Sequence, residues 1–128
     1  MKKFTVNVKI DRPIGYKDKF GTVYPVNYGF VEGVIAGDGE EQDVYIISKE
    51  INEELVVFEG EVVAVIYRKD DIEDKWVATK IGEKLSRKEI KKSVEFLEQY
   101  FDSEIKMLEW LFCLSFYQII VLLFSLRS

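Results

Sequence analysis

The sequence contains no histidine and a single cysteine, Cys113, among its 128 residues. Without histidine, a general base built on imidazole and a zinc site with histidine ligands are both excluded. With one cysteine, no disulfide can form within the chain, so a reducing compartment fits best and we expect a cytoplasmic protein. The N-terminal segment MKKFTVNVKI also lacks the apolar core of a signal peptide and has the alternation of a strand.

Basic residues are outnumbered by acidic ones, since 18 Lys and Arg face 23 Asp and Glu and give a net charge of −5. Nucleic-acid surfaces usually carry a basic excess, so this balance argues against a nucleic-acid-binding module. An anionic ligand would therefore have to be held at local cationic sites. The chain length indicates one domain that is large enough for a real hydrophobic core.

Alternating or continuous apolar segments predict about five short strands, at residues 4–10, 24–34, 43–48, 61–68 and 75–80. Glycines and prolines separate several of them and indicate turns. Short strands with intervening turns favour a closed sheet, because closure removes exposed edges. We therefore expect a mainly β fold, a small OB-like antiparallel barrel of about five strands, with C-terminal helices packed on it.

A helix is predicted to begin at Ser86. The segment SRKE at residues 86–89 is a capping box, in which the Ser86 hydroxyl accepts from the Glu89 amide and the Glu89 side chain reaches back to the Ser86 amide. Apolar residues then recur at helical spacing and form one stripe for packing on the barrel: Ile90, Val94, Leu97 and Phe101.

The end of the chain differs in character from the rest. We divide the sequence into a domain at residues 1–106 and an apolar tail at residues 107–128. Residues 110–126 carry no charge and have about the minimum length of a membrane-spanning helix. Three interpretations stay open: a buried or oligomer-forming helix, a membrane anchor, which is not favoured, and an end altered by a shifted reading frame. Homo-oligomer formation is left open with them.

Two acidic clusters are the residues most suited to chemistry. In the first, flanking glycines allow a tight turn, so the oxygens of Asp38, Glu40 and Asp43 can point at one place. The second covers residues 70–74 and is followed at once by Lys75. Such oxygens suit Mg²⁺, which takes carboxylate and water ligands. The two clusters can converge at one rim of a barrel, or each can be an acidic turn that faces solvent.

Three segments in order resemble the soluble inorganic pyrophosphatases of family I. They are YPVNYGF from Tyr24, DGEEQDV from Asp38 and DDIEDKWVA from residue 70. The family pattern reads roughly YP-x-NYGY, DGDPxDV and D…D-x-K, and three linked motifs are far more specific than one. The match runs from about Val8 to Tyr100. The sequence is also similar to short variants of the family with a reduced N-terminal hairpin.

The resemblance implies Mg²⁺-dependent hydrolysis of inorganic diphosphate to two phosphates. It implies that five acidic residues bind the metal ions: Asp38, Glu40, Asp43, Asp71 and Asp74. Glu40 and Asp43 would be catalytic, and Glu40 would accept the proton of the attacking water because it stands at the family's middle Asp. Five further residues would bind the phosphate oxygens of the substrate: Arg12, Tyr24, Tyr28, Lys75 and Tyr100.

Some positions depart from the family pattern. The acidic loop has Glu40 in place of Asp, and Tyr100 is followed by Phe101 where the family has a lysine. The N-terminal phosphate-binding hairpin is largely absent, and Arg12, Lys17 and Lys19 are candidate replacements. These departures favour an alternative function, a non-catalytic pyrophosphatase-like domain that binds a phosphorylated ligand or a protein partner.

Overall fold

Six strands form one sheet with a single helix in the computed structural model, which describes residues 3–69 and 73–108. The elements in chain order are β1 (Thr5–Arg12), β2 (Asn27–Ile35), β3 (Glu41–Ile46), β4 (Val57–Arg68), β5 (Lys75–Thr79), α1 (Arg87–Glu98) and β6 (Ser103–Met107).

The sheet closes as a five-stranded barrel. Its strand order is β1-β2-β3-β5-β4, and β4 pairs with β1 to complete the ring. All of these pairs are antiparallel except β3 with β5, which run parallel. The second half of β4 also pairs with β6, which therefore lies outside the ring. The predicted fold class, a mainly β OB-like barrel of five strands, is confirmed.

Strand alternation divides the apolar side chains into two cores. In β1, Val6 and Val8 are buried whereas the intervening Asn7 is exposed. Neighbouring residues of a strand point to opposite faces, so Trp76 belongs to a first core that includes Val6 and Val8, and Val77 to a second core that includes residues of α1. The second core matters most for function, because its sheet face also carries the polar cavity described below.

The capping box is present as predicted. Ser86 is the N-cap of α1, its hydroxyl accepts from the Glu89 amide at 3.1 Å, and the Glu89 carboxylate accepts from the Ser86 amide at 3.0 Å. The helix buries Ile90 and Val94 against the sheet. It ends at Glu98, so the prediction that Phe101 continues the helical stripe was wrong. The described residues contain this one helix, and a strand rather than another helix follows it.

The boundary between domain and tail lies close to the last described residues. Met107 pairs with Ala64 in the sheet, and Leu108 is buried in the first core. Residues 109–128 lie outside the described residues, and so do the three interpretations of the tail. Within residues 3–69 and 73–108, no helix has the length and apolar character needed to cross a membrane.

Candidate active site

A cavity of about 580 Å³ opens on the sheet face that carries α1. Its acidic lining residues are Asp11, Asp18, Asp43 and Glu73. Its basic lining residues are Arg12, Arg68 and Lys75. The sequence separates these groups by up to 64 positions, and the barrel brings them together. The cavity can therefore offer oxygen ligands to a cation and positive charge to an anion.

Strand register places Asp43 beside Lys75. The parallel pairing of β3 with β5 sets Val44 opposite Trp76, so the preceding residues of the two strands are neighbours. Lys75 Nζ lies 2.6 Å from Asp43 Oδ2 and forms a second ion pair with the Glu73 carboxylate. The Lys75 side chain is only 3% exposed. A buried ammonium is costly unless it is paired, and here two carboxylates neutralise it.

Tyr28 adds a hydrogen-bond donor to this group. It lies on β2, and its ring centroid is 5.6 Å from Lys75 Nζ. Burial raises the pKa of the Tyr28 phenol well above its usual value, and the neighbouring Asp43 carboxylate raises it further. The phenol is therefore protonated at neutral pH and donates a hydrogen bond to Asp43.

Arg12 is held at the end of β1 by aromatic residues. Its guanidinium donates a hydrogen bond to the Tyr24 hydroxyl. It also lies 5.4, 5.5 and 5.7 Å from the ring centroids of Tyr16, Tyr24 and Tyr28, within the range of cation–π attraction. The register of β1 against β2 shifts between Ile10 and Arg12. Asp11 and Arg12, which both line the cavity, lie at this irregularity.

Arg68, the last residue of β4, belongs to a buried network with α1. Its Nε and Nη2 donate to the two oxygens of the Glu98 carboxylate at 3.1 and 2.7 Å. Glu98 also accepts from the Tyr45 hydroxyl at 2.6 Å and from the Ser103 hydroxyl at 2.9 Å. Burial raises the pKa of the Glu98 carboxyl, but the hydrogen bonds from Arg68, Tyr45 and Ser103 outweigh it and hold the pKa below its usual value. The carboxylate is therefore ionised and anchors Arg68.

Six of the residues predicted from the sequence line the cavity: Arg12, Tyr24, Tyr28, Asp43, Lys75 and Tyr100. Tyr100 lies at its exposed edge, with 68% of its surface accessible. The lysines at positions 17 and 19, offered above as phosphate ligands, are exposed and do not line it.

Three of the other predicted metal ligands, Asp38, Glu40 and Asp74, do not line the cavity. Asp38 and Glu40 lie in the hairpin turn between β2 and β3, where the Asp38 carboxylate accepts from the Glu40 amide at 3.0 Å. Asp74 precedes β5, and its backbone carbonyl accepts from the Gln42 side chain at 2.8 Å. Asp71 lies outside the described residues. The metal-binding roles of these four residues stay a prediction.

Four charged residues that line the cavity were not predicted as site residues: Asp11, Asp18, Arg68 and Glu73. Glu73 had a detectable signal, because it belongs to the acidic cluster at residues 70–74 and lies two residues before Lys75. Glu98 occupies the apolar stripe four residues after Val94, and a buried carboxylate there demands a cationic partner. Nothing in the local sequence identifies that partner as Arg68, and nothing marks Asp11 at the end of β1.

The donor set of the cavity suits a hard divalent cation. Carboxylates of Asp11, Asp43 and Glu73 line the same space. Desolvation raises the pKa of the Asp11 carboxyl, and the negative charge of Asp43 adds to the effect. Across residues 3–69 and 73–108, no three acidic side chains form a ready-made metal site.

The five-stranded barrel carries carboxylates and cations around an open cavity, an arrangement that suits an anionic ligand together with a cation. The inorganic pyrophosphatase family model matches residues 2–110. The chain belongs to this family, whose members act with a metal ion. It is therefore a hydrolase of inorganic diphosphate.

Solved structures agree with this fold. The inorganic pyrophosphatase of Ehrlichia chaffeensis is 21% identical with a TM-score of 0.60, and the match covers 80% of this chain and 85% of that one. An inorganic pyrophosphatase of Neisseria gonorrhoeae is 21% identical with a TM-score of 0.57, covering 75% and 73% of the two chains. That of Helicobacter pylori is 19% identical with a TM-score of 0.56, covering 84% and 86%. No curated protein sequence matches the chain.

Proposed function

We propose that the chain hydrolyses inorganic diphosphate with Mg²⁺, in the cytoplasm, in the cavity around Asp43 and Lys75. The observation that carries this proposal is the cluster in which Asp43, Glu73 and Tyr28 surround the Lys75 ammonium. Carboxylates there provide metal ligands, and cations beside them provide binding for phosphate oxygens. The lone cysteine supports the reducing compartment.

Asp43 and Glu73 would hold the metal ion from the cavity wall. Their side chains are 30% and 27% exposed, so a hydrated ion can reach both. Asp38, Glu40, Asp71 and Asp74 remain proposed as further ligands from the neighbouring loops. When bound, Mg²⁺ neutralises phosphate charge and makes a water molecule more acidic.

Arg12, Lys75 and the tyrosines would bind and orient the substrate. Lys75 carries a fixed positive charge beside Asp43, and its ion pairs prevent it from moving out of the cavity. The planar guanidinium of Arg12 suits phosphate oxygens because its donors can bind two of them together. Tyr24 and Tyr100 offer hydroxyl donors, and such donors stabilise charge that develops on a phosphate oxygen. The Tyr28 hydroxyl donates to Asp43 in this structure, so it would have to turn its proton toward the substrate to contribute in the same way.

One carboxylate must accept the proton of the attacking water. Glu40 was predicted for this role, but its side chain is exposed and the cavity lining does not include it. Asp43 combines a position in the cavity with a fixed orientation, because Lys75 and Tyr28 both hydrogen-bond its carboxylate. We therefore assign the role to Asp43 and keep Glu40 as the alternative.

The test measures phosphate released from inorganic diphosphate by the purified full chain, with millimolar Mg²⁺ and with a chelator. We expect turnover with Mg²⁺ and none after chelation, restored when Mg²⁺ is added back. If the chain releases no phosphate under any of these conditions but binds inorganic phosphate, the non-catalytic binding domain replaces the enzyme.

A further inference from the structure

We propose that Arg68 binds a phosphate group of the ligand in this cavity, and that Glu98 and Phe101 position its guanidinium. This inference rests on the proposed function for the identity of the ligand. It adds a cation that neither the family-like motifs nor the strand pattern indicates.

The charge of Arg68 has an unusual position. Its side chain is 5% exposed and its partner Glu98 is 6% exposed, yet the guanidinium lines a cavity that is open to solvent. Two parallel hydrogen bonds to Glu98 fix its plane. A guanidinium anchored in this way loses little additional freedom when it binds an anion.

The Arg68 guanidinium also has hydrogen-bond donors that the anchor to Glu98 does not use. An arginine has five N–H groups, and the two bonds to Glu98 use one on Nε and one on Nη2. Among the described residues, Nη1 forms an ion pair with Glu73. The distance from Nη1 to Glu73 Oε2 is 3.8 Å, which is longer than a hydrogen bond. Nη1 can therefore donate to a phosphate oxygen while the anchor to Glu98 stays intact.

An aromatic ring covers one face of the Arg68 guanidinium. The Arg68 Cζ lies 3.7 Å from the centroid of the Phe101 ring, which also lines the cavity. The ring blocks one face of the guanidinium and leaves its edge as the direction of approach. Edge-on approach is the geometry in which guanidinium binds phosphate oxygens.

The charges around Arg68 also permit this role. Glu98 neutralises it from α1, and Tyr45 and Ser103 satisfy the remaining acceptor capacity of that carboxylate. Glu73 is shared with Lys75, with which it makes the shorter ion pair. If Glu73 moved toward a metal ion, Nη1 of Arg68 would lose this ion pair and could bind the phosphate instead.

The experiment compares full-length variants by calorimetric binding of inorganic phosphate and by the KM for diphosphate. Arg68→Gln combined with Glu98→Gln removes both buried charges, so neither is left unpaired. We expect phosphate to bind about tenfold more weakly or worse, the scale for losing a hydrogen bond to a charged group. KM should rise in parallel, and kcat should fall less.

Phe101→Leu is a second test that leaves the ion pair in place. Loss of the ring should weaken phosphate binding about threefold, in line with a modest cation–π and stacking contribution. Lys69→Gln is the matched control, because it removes one positive charge from the next residue, which is exposed and does not line the cavity. The control should bind phosphate like the parent.

Unchanged phosphate affinity and KM in folded Phe101→Leu, or in the folded double variant, would overturn the role of Arg68. That result leaves diphosphate hydrolysis by the parent untouched. Conversely, a parent that binds phosphate through Arg68 but releases none from diphosphate supports this inference and refutes the proposed reaction.

Discussion

Asp43→Asn removes one negative charge from the cavity while the size of the side chain stays the same. In the parent, Asp43 Oδ2 lies 2.6 Å from Lys75 Nζ, and the Tyr28 phenol donates to the same carboxylate. The oxygen of an asparagine can still accept these hydrogen bonds, and Lys75 keeps its ion pair with Glu73. We therefore expect the free energy of unfolding to fall by only about 1 kcal/mol.

The expected effect of Asp43→Asn on the reaction is larger. A neutral amide is a weaker ligand for Mg²⁺ than a carboxylate, and it cannot accept the proton of the attacking water. Both roles matter mainly in the transition state. We expect a loss of about 3 kcal/mol of transition-state stabilisation, which corresponds to a roughly 100-fold fall in kcat.

The assay for Asp43→Asn pairs phosphate release at saturating Mg²⁺ with urea unfolding. Asp102→Asn is the matched control, because its side chain is exposed and does not line the cavity. A folded Asp43→Asn protein with the kcat of the parent would refute the assignment. A loss of activity equal to the loss of folded protein would refute it as well.

Four further changes have definite expected outcomes. Glu40→Gln should lower kcat by less than about threefold, and a fall comparable to that expected for the Asp43 variant would make Glu40 the proton acceptor. Ser86→Ala should lower the free energy of unfolding by about 1 kcal/mol in urea titrations. The hydrogen bonds from the Ser86 amide and from Lys49 lower the pKa of Glu89 from 4.5 to about 2, so its stabilisation is present above pH 4.5 and is lost as the pH falls toward 2. Acid unfolding of Glu89→Gln should lack this dependence. Gly29→Ala should cost about 3 kcal/mol or more in the same titration, because the new Cβ would overlap the carbonyl oxygen of Lys9 on the paired strand.

Local patterns determined the elements of this fold. Alternation in β1 follows from burial of one strand face, and the start of α1 follows from hydrogen bonds within four residues, so neighbouring residues suffice to predict both. The beginning of β4 was harder to predict from the sequence. Residues 57–60 alternate only loosely between polar and apolar side chains, and they form a strand because they pair with β1.

The three family-like segments also identified much of the cavity. Tyr28, Asp43 and Lys75 lie at motif positions, and all three line it. The motifs did not predict the conformation of the acidic loop, and therefore did not predict which of its carboxylates line the cavity. The Asp38 carboxylate accepts from the Glu40 amide within the hairpin turn, and of the three predicted loop ligands Asp43 lines the cavity whereas Asp38 and Glu40 do not.

Only the tertiary structure decided which charged groups meet. Asp43 meets Lys75 because β3 and β5 pair in parallel, and a register cannot be read from either strand alone. Arg68 meets Glu98 across 30 positions, and the Phe101 ring covers it because α1 ends at Glu98 and the chain turns into β6. Sequence patterns report which side chains prefer burial, whereas the partners of a buried charge depend on strand order and on where a helix ends.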